Sequence, residues 1–470
     1  MLSMQDVSLP PVGAHIHIIG IGGIGTSGQA RVLAGWGYRV TGSDTAESGA
    51  TTALRAEGLD LRIGHHPALV TGAALVVYSA AVREDDPELA AARAAGIATV
   101  KRAALLGLIA NGRSGLAVAG THGKSTTSAM LAKICVDAGR DPSFFVGATL
   151  LDFGTNARSG DGDLVVVEAD EYDRSFLQLT PQVAIVTNIE ADHPDVYPTY
   201  ASMEDAYRDF LAQVRPGGTI LVSADDQGCA ALLPRLALAE GVTVLRYGRA
   251  ADADWRLVPD GADDRVLRGG EPVATLSLLV AGEHMQRNAL AALAAAAAAG
   301  IDPAVAAASL AGFGGTGRRF ELRGEVRGIT VIDDYAHHPT EVAVNLRTAR
   351  ERFAGRPIWA IFQPHTYSRT KLLLHEFAAA LALADRLLLL DIYPSRERDT
   401  LGMSSDDLLP LLPASETVLR PSQPDDAAAA FLTEYRAGRL SAGAVVLTLG
   451  AGDVTEVGPR FLADLAKLDE

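Results

Sequence analysis

Short apolar runs that end in glycine or polar residues recur along the chain, and several lead into stretches of helical spacing. Residues 15–19 predict a strand, 27–35 a helix, 38–41 and 76–80 two further strands, and 87–96 another helix. The turn-rich residues 111–115 close that region. Leu116-Ala117-Val118 then predicts a strand and 128–134 an amphipathic helix, followed by strands at 163–168, 183–186, 219–222 and 242–246. Residues 252–279 alternate without a helical period and predict a small antiparallel patch, ahead of an alanine-rich helix at 289–299. Four last strands, at 329–332, 358–362, 387–390 and 444–449, each end in polar or glycine residues. Runs that are apolar on both faces suit parallel strands covered by helices. The predicted class is therefore α/β with three domains, residues 1–110, 111–317 and 318–470.

Composition narrows the function. A length of 470 residues is about three domains at roughly 150 each. The net charge of −16 argues against nucleic-acid and acidic-membrane partners, and an acidic enzyme of anionic substrates concentrates its Lys and Arg at the site. The two cysteines, Cys135 and Cys229, lack metal-ligand spacing and read as buried thiols of a reducing compartment. Residues 1–13 carry no signal pattern, and the longest apolar run, 289–299, is too short to span a bilayer. A cytoplasmic chain is expected.

Candidate chemistry sits at the ends of the strands. Gly120-Thr121-His122-Gly123-Lys124-Ser125-Thr126, between a strand and a helix, has the layout of a phosphate-binding loop, shortened because Val118 stands where the usual pattern has glycine. In such a loop Lys124 reaches the terminal phosphates of ATP and the Ser125 hydroxyl ligates Mg²⁺. Glu168 and His193 follow two other strands and are candidate metal ligands with Ser125. Upstream, Gly20-Ile21-Gly22-Gly23-Ile24-Gly25 is a G-x-G-x-x-G turn, with Ser43-Asp44 about twenty residues on. That turn holds either the diphosphate of a UDP-sugar or a dinucleotide, and His65 and Ser79 are further ligand candidates there. Alone it leaves a nicotinamide-dependent dehydrogenase open, and the second loop leaves a nucleotide switch open. Residues 313–320 form a glycine hinge with Arg318 and Arg319, suited to an interdomain joint closing over a triphosphate.

Taken together and in order, six segments resemble the Mur ligase family of peptidoglycan precursor synthesis. They are residues 120–125, 168–171, 187–193, 314–320, 334–339 and 362–365, and the likeness runs from about His15 to Gly452. The resemblance implies a Rossmann-like UDP-binding domain, a central P-loop ATPase domain and a C-terminal Rossmann-like domain completing an amino-acid site. Gly20, Gly22, Gly23 and Gly25 then hold the UDP diphosphate. Lys124 and Ser125 match positions at the ATP phosphates and Mg²⁺, and Glu168 and His193 match metal positions. His284 and Asn288 match a nucleotide-contacting motif whose first Asn is Met285 here. Arg319, or its neighbour Arg318, corresponds to an arginine that meets the γ-phosphate. Tyr335 and His337 match positions near the amino acid, Arg369 matches one near the incoming groups, and Thr366 stands where some relatives carry a second arginine. The implied activity is ATP-dependent joining of L-alanine to UDP-N-acetylmuramate through an acyl phosphate, by a monomer or homodimer. His337 or His193 would assist the amine. A sister activity, murein recycling by addition of a tripeptide to the same UDP-sugar, is the near alternative.

Overall fold

Residues 7–79, 81–280, 282–412 and 418–468 are described by the structure, a computed structural model. Ala80, the last residue of the strand expected at 76–80, and the first six residues of the 1–13 stretch lie outside them.

The first sheet holds β1 (His15–Ile19), β2 (Arg39–Asp44), β3 (Asp60–Ile63), β4 (Leu75–Tyr78) and β5 (Ala98–Lys101) in the order β3-β2-β1-β4-β5. Every pair in it is parallel. With β2 on one side of β1 and β4 on the other, the connections leaving β1 and β4 part and leave a crevice at their carboxyl ends. Gly20 and Ser79 stand there, close enough that a Cβ on Gly20 would lie 3.3 Å from that of Ser79.

The second sheet contains β6 (Ser114–Ala119), β7 (Ser143–Leu150), β8 (Thr155–Arg158), β9 (Leu164–Glu168), β10 (Val183–Val186), β11 (Thr219–Ser223), β12 (Thr243–Gly248), β13 (Trp255–Asp260), β14 (Asp263–Arg268) and β15 (Glu271–Leu276). Their order is β15-β14-β13-β12-β11-β10-β6-β9-β7-β8. The expected antiparallel patch is β13–β15, an extension of this sheet. Residues 143–158, to which no element was assigned, form the β7–β8 hairpin. β6 lies between β10 and β9, with Val118 level with Glu168 and Ala119 level with Val186. That register brings the ends of three strands to one place. The buried helix Glu283–Ala298 contributes a run of alanines to the core of this sheet, together with Met130, Leu131 and Phe144. The two sheets join through Trp36, whose indole donates to the Gly160 carbonyl at 3.2 Å while Arg113 covers its ring at 4.1 Å.

The third sheet is β16 (Glu321–Val326), β17 (Ile329–Asp334), β18 (Ile358–Phe362), β19 (Arg386–Leu389), β20 (Val418–Leu419) and β21 (Val445–Leu449), in the order β16-β17-β21-β18-β19-β20. Only β16 runs antiparallel to its neighbour. It and the two-residue β20 add to the four expected strands, and β16 is an edge strand with Leu322, Arg323 and Glu325 exposed, which therefore lacks an apolar run.

By proximity the chain forms two compact units. One contains the first two sheets. The other contains the third sheet together with Asp192–Pro198 and the short segment before Met285, and the division falls at Gly314–Gly315. Among the described residues no helix is long and apolar enough to cross a membrane.

Candidate functional site

In the first unit, β6 ends at Ala119 and the loop 120–123 leads into the helix Lys124–Asp137, four residues earlier than expected. Gly123 ends the loop in the left-handed region (φ 81°) and leaves the helix amides without a side-chain cap. A side chain at either loop glycine is sterically excluded: on Gly120 it would collide with the Thr187 hydroxyl, and on Gly123 it would stand 2.7 Å from Asn288 Oδ1. The residues after β10 clamp the loop. Thr121 N donates to Asn188 O, His122 N to Asn188 Oδ1 at 2.8 Å, and Thr187 Oγ1 to His122 O at 2.5 Å. Glu190 N donates to Thr121 Oγ1 at 2.9 Å, and Glu190 also faces His122 Nε2 at 3.3 Å.

Lys124 Nζ is turned back on its own loop, donating to Gly120 O at 2.6 Å, Thr121 O at 3.1 Å and Glu171 at 2.9 Å. Burial opposes its charge, but the carboxylates of Glu171, Asp170 and Glu168 outweigh it and hold the ammonium above its ordinary pKa. Burial, then the neighbouring Glu171, raises the Asp170 carboxyl. Ser125 Oγ donates to Glu168 Oε1 at 3.0 Å, and Gly147 N donates to Glu168 Oε2 at 2.6 Å. Ser125 and Glu168 thus present adjacent oxygen donors, the donor chemistry a divalent Mg²⁺ takes. Asn288 stands beside Gly123, whereas Met285 is buried in the core, which accounts for an apolar residue at that motif position.

At the glycine turn after β1, the amides of Gly20 and Ile21 donate to Ser43 O at 2.8 and 3.0 Å. The amide of Gly22 donates to Asp44 Oδ2 at 2.7 Å, so the turn already faces one anionic group. Thr26 Oγ1 secures the turn through Gly20 O at 2.6 Å and Gly23 O at 3.1 Å. Arg102 approaches Gly25 so closely that a Cβ there would stand 2.8 Å from its guanidinium. This arginine was missed, although Lys101-Arg102 at the end of β5 is a legible basic signal. Ser79 accepts from Ala81 N at 3.2 Å, and His65 Nδ1 lies 3.1 Å from Asp86.

The remaining candidates belong to the second unit. Arg318 is committed within it, with Nε 3.3 Å from Asp333 and Nη2 donating to Gly450 O at 2.6 Å. Arg319 pairs with Glu341 at the longer distance of 3.8 Å. Both guanidinium groups lie over Tyr335, at 4.9 and 5.4 Å from its ring centre. Tyr335, His337, His365 and Tyr393 continue as a row of ring contacts, each pair 5.3–5.8 Å apart. Arg369 is buried, with Nε and Nη2 each 2.8 Å from Asp192 Oδ1 and Nη1 donating to His365 O at 2.8 Å. His193 takes a left-handed backbone (φ 51°), its ring 3.6 Å from Asp192, and His284 packs on Gly282. Asp192 and His365 were not singled out: Arg369 lies 177 residues beyond Asp192, and His365 meets His337 and Tyr393 only through the fold.

Burial pushes His337 down to about 3, with Arg369 adding to the effect and Glu341 opposing it. Burial, then Arg369, takes His365 down to about 4. Both rings are neutral at pH 7. The unfolded chain binds the extra protons as pH falls below 6.5, so each ring's contribution to stability is lost from there down towards its folded value, at about 1.4 kcal/mol per pH unit. Thermal midpoints should therefore drop between pH 6.5 and 5, and drop less in His337→Gln/His365→Gln. Parallel curves for the two proteins would contradict this. Asp334 works the other way. Burial raises its carboxyl to about 6 against the pull of Arg319, so its contribution declines as pH rises from the ordinary carboxylate range through 6.

Comparison with known proteins bears on all three sheets. Residues 15–114 match the catalytic-domain model of the Mur ligase family, 118–296 the Mur ligase middle domain, and 318–452 the Mur ligase glutamate ligase domain. The chain is 44% identical to UDP-N-acetylmuramate–L-alanine ligase of Streptomyces coelicolor, over 98% of this chain and 99% of that one. It is 46% identical to the protein of the same name from Kineococcus radiotolerans, over 96% of each. Among solved structures, UDP-N-acetylmuramate–alanine ligase from Thermotoga maritima aligns with a TM-score of 0.77 at 28% identity, covering 96% of this chain and 99% of that one. A murein peptide ligase from Psychrobacter arcticus aligns at 0.71 and 26%, covering 97% and 100%.

Proposed function

This chain belongs to the Mur ligase family, and we propose that it joins L-alanine to UDP-N-acetylmuramate with cleavage of ATP to ADP and phosphate, in peptidoglycan precursor synthesis. The observation that carries the reading is similarity along nearly the whole chain, at 44 and 46% identity, to proteins with that name. The murein peptide ligase of Psychrobacter arcticus, at 26%, stands close to the 28% of the Thermotoga enzyme, so the preference for L-alanine over a tripeptide rests on the relatives at 44 and 46%. A dehydrogenase would leave the Lys124 loop, Ser125 and Glu168 without a task.

A carboxylate needs activation before it can form an amide at neutral pH. In this reading the muramate carboxylate attacks the γ-phosphorus of ATP, releasing ADP and forming an acyl phosphate. The neutral amine of L-alanine then attacks the carbonyl, and the tetrahedral intermediate expels phosphate. Phosphoryl transfer needs in-line positioning and charge stabilisation more than covalent help. The loop amides of residues 120–126 and Lys124 supply both, once Lys124 exchanges one of its present partners for phosphate. Arg319 is preferred over Arg318 for the γ-phosphate, because Arg318 is already engaged with Asp333 and Gly450. Ser125 and Glu168, with His193 as the third candidate, would hold Mg²⁺, which when bound adds positive charge at the transferring group. Gly20, Gly22, Gly23 and Gly25, with Ser43, Asp44, His65 and Ser79 around them, would hold the UDP-sugar, and Arg102 adds a cation to the diphosphate. Tyr335, His337 and Arg369 would receive L-alanine, His337 as a neutral acceptor beside its amine. Substrates of this kind put the reaction in the cytoplasm.

The test is a mass-spectrometric product assay with UDP-N-acetylmuramate, ATP, Mg²⁺ and either single amino acids or the murein tripeptide. UDP-N-acetylmuramoyl-L-alanine is the expected product, with phosphate release dependent on both acceptor and donor. Preferential use of the tripeptide, or phosphate release indifferent to omission of either substrate, would overturn the assignment.

A further inference from the structure

Beneath the glycine turn the first sheet buries a row of polar side chains of which the reaction above uses only Ser43. β1 and β2 are parallel neighbours with His17 opposite Thr41 and Ile19 opposite Ser43, so His15, His17, Thr41 and Ser43 share one face of the sheet. All four are buried, and Glu88, from the first turn of the helix Pro87–Ala94, is fully buried with them. His15 Nε2 lies 2.8 Å from Thr41 Oγ1, which lies 2.7 Å from His17 Nδ1. His17 Nε2 is 3.1 Å from Glu88 Oε2. The Ser43 hydroxyl donates to that same oxygen at 2.5 Å, and the His66 amide donates to Glu88 Oε1 at 2.5 Å. Two residues earlier, Asp86 caps the helix through the amides of Glu88 and Leu89 and faces His65 with its other oxygen.

Counting protons gives this row a direction. An ionised carboxylate only accepts, and Glu88 is ionised: burial pushes its carboxyl up, but His17, Ser43 and the His66 amide together hold it below the usual range. His17 Nε2 therefore carries the ring proton facing Glu88. The Thr41 hydroxyl bridges His17 Nδ1 and His15 Nε2, giving its proton to one ring and accepting from the other. At the other end the Ser43 proton is spent on Glu88, which leaves the Ser43 oxygen as an acceptor only. The carbonyl of Ser43 is in turn the anchor for the amides of Gly20 and Ile21.

We infer that Glu88 is a positioning residue of the UDP-sugar pocket: without touching ligand, one carboxylate sets the place and polarity of Ser43, the anchorage of the glycine turn, and the stance of the His65–His66 turn. The inference rests on the assignment of the Gly20 turn to the UDP-sugar. Glu88→Gln keeps the size of the side chain. Its carboxamide oxygen can still serve the His66 amide, but its NH₂ then meets the Ser43 hydroxyl and His17 Nε2, so the row must reverse and the Ser43 proton must turn elsewhere.

The expected result for Glu88→Gln is a rise of about tenfold in KM for UDP-N-acetylmuramate and an equal loss of UDP affinity by calorimetry. kcat and the KM values for ATP and L-alanine should stay within about twofold. Thr41→Val removes an outer link of the row and leaves the Glu88 contacts to Ser43 and His66 in place. It should lower the unfolding midpoint without moving any KM. An unchanged KM in Glu88→Gln, a KM and kcat that move together, or an equal KM rise in Thr41→Val would overturn the inference. Should Glu88→Gln not fold, Ser43→Ala deletes only the hydroxyl that Glu88 orients, and an unchanged KM there is equally decisive against it. Wild-type enzyme that makes no product from UDP-N-acetylmuramate and L-alanine would instead fail the assignment of function. Wild-type turnover with an indifferent Glu88→Gln fails the positioning role alone.

Discussion

Replacing Lys124 with alanine is expected to lower ATP-dependent product formation by about 10³-fold while leaving UDP affinity unchanged. The magnitude is that of removing one preorganised charge from a phosphoryl-transfer site. Two effects add. The transferring phosphoryl group loses one of its cations, and Glu171 and Asp170, which Lys124 now balances, become uncompensated negative charge beside the phosphates. Lys124→Arg should not restore activity, because a forked guanidinium does not reproduce three short bonds converging on one nitrogen. Single-turnover product analysis beside calorimetry with UDP separates loss of chemistry from loss of fold. Residual activity within tenfold of wild type would remove Lys124 from the transfer step.

Asp192→Ala is expected to destabilise the second unit by about 3–5 kcal/mol, because it leaves the Arg369 guanidinium buried without its carboxylate. Each partner is only 5% exposed, so solvent screens the pair little. Burial alone would raise the Asp192 carboxyl, but Arg369, helped by His193 and His337, holds it far below the ordinary range. The stability it contributes is therefore present above the ordinary carboxylate pKa and is lost only in strong acid. Asp192→Ala/Arg369→Leu should recover part of the loss, since removing both charges leaves neither one stranded. Denaturant unfolding of the single and double variants measures this, and a single-variant loss below about 1 kcal/mol would show the pair to be dispensable. KM for L-alanine should also rise in Asp192→Ala, because Asp192 holds the guanidinium in place.

Much of the fold was legible in the sequence. The loop at 120–125 could be read locally, since glycines, Lys124 and Ser125 between a strand and a helix encode a turn and its chemistry within a few residues. The antiparallel patch at 252–279 was legible from alternation alone. The hairpin β7–β8 was not: its first strand is buried without a break over residues 143–146 and then changes to a mixed pattern up to the buried Leu150, so neither periodic template holds along its length. β16 escaped for the related reason that an exposed edge strand needs no apolar run.

The site divides along the same line. The sequence alone determined which residue types stand at the strand ends, because burial periodicity and turn chemistry are properties of neighbours along the chain. Tertiary structure decided which of them meet. Glu171, and not Glu168, makes the direct contact with Lys124, while Glu168 takes Ser125 and Gly147. Of two adjacent arginines, Arg318 is bound into its own sheet through Asp333 and Gly450. Asp192 and Arg369, 177 residues apart, make one buried pair, and Glu88 reaches Ser43 across 45 residues. Strand order and register create these partnerships, and no local pattern carries them: a carboxylate finds its cation only after parallel strands have been set side by side.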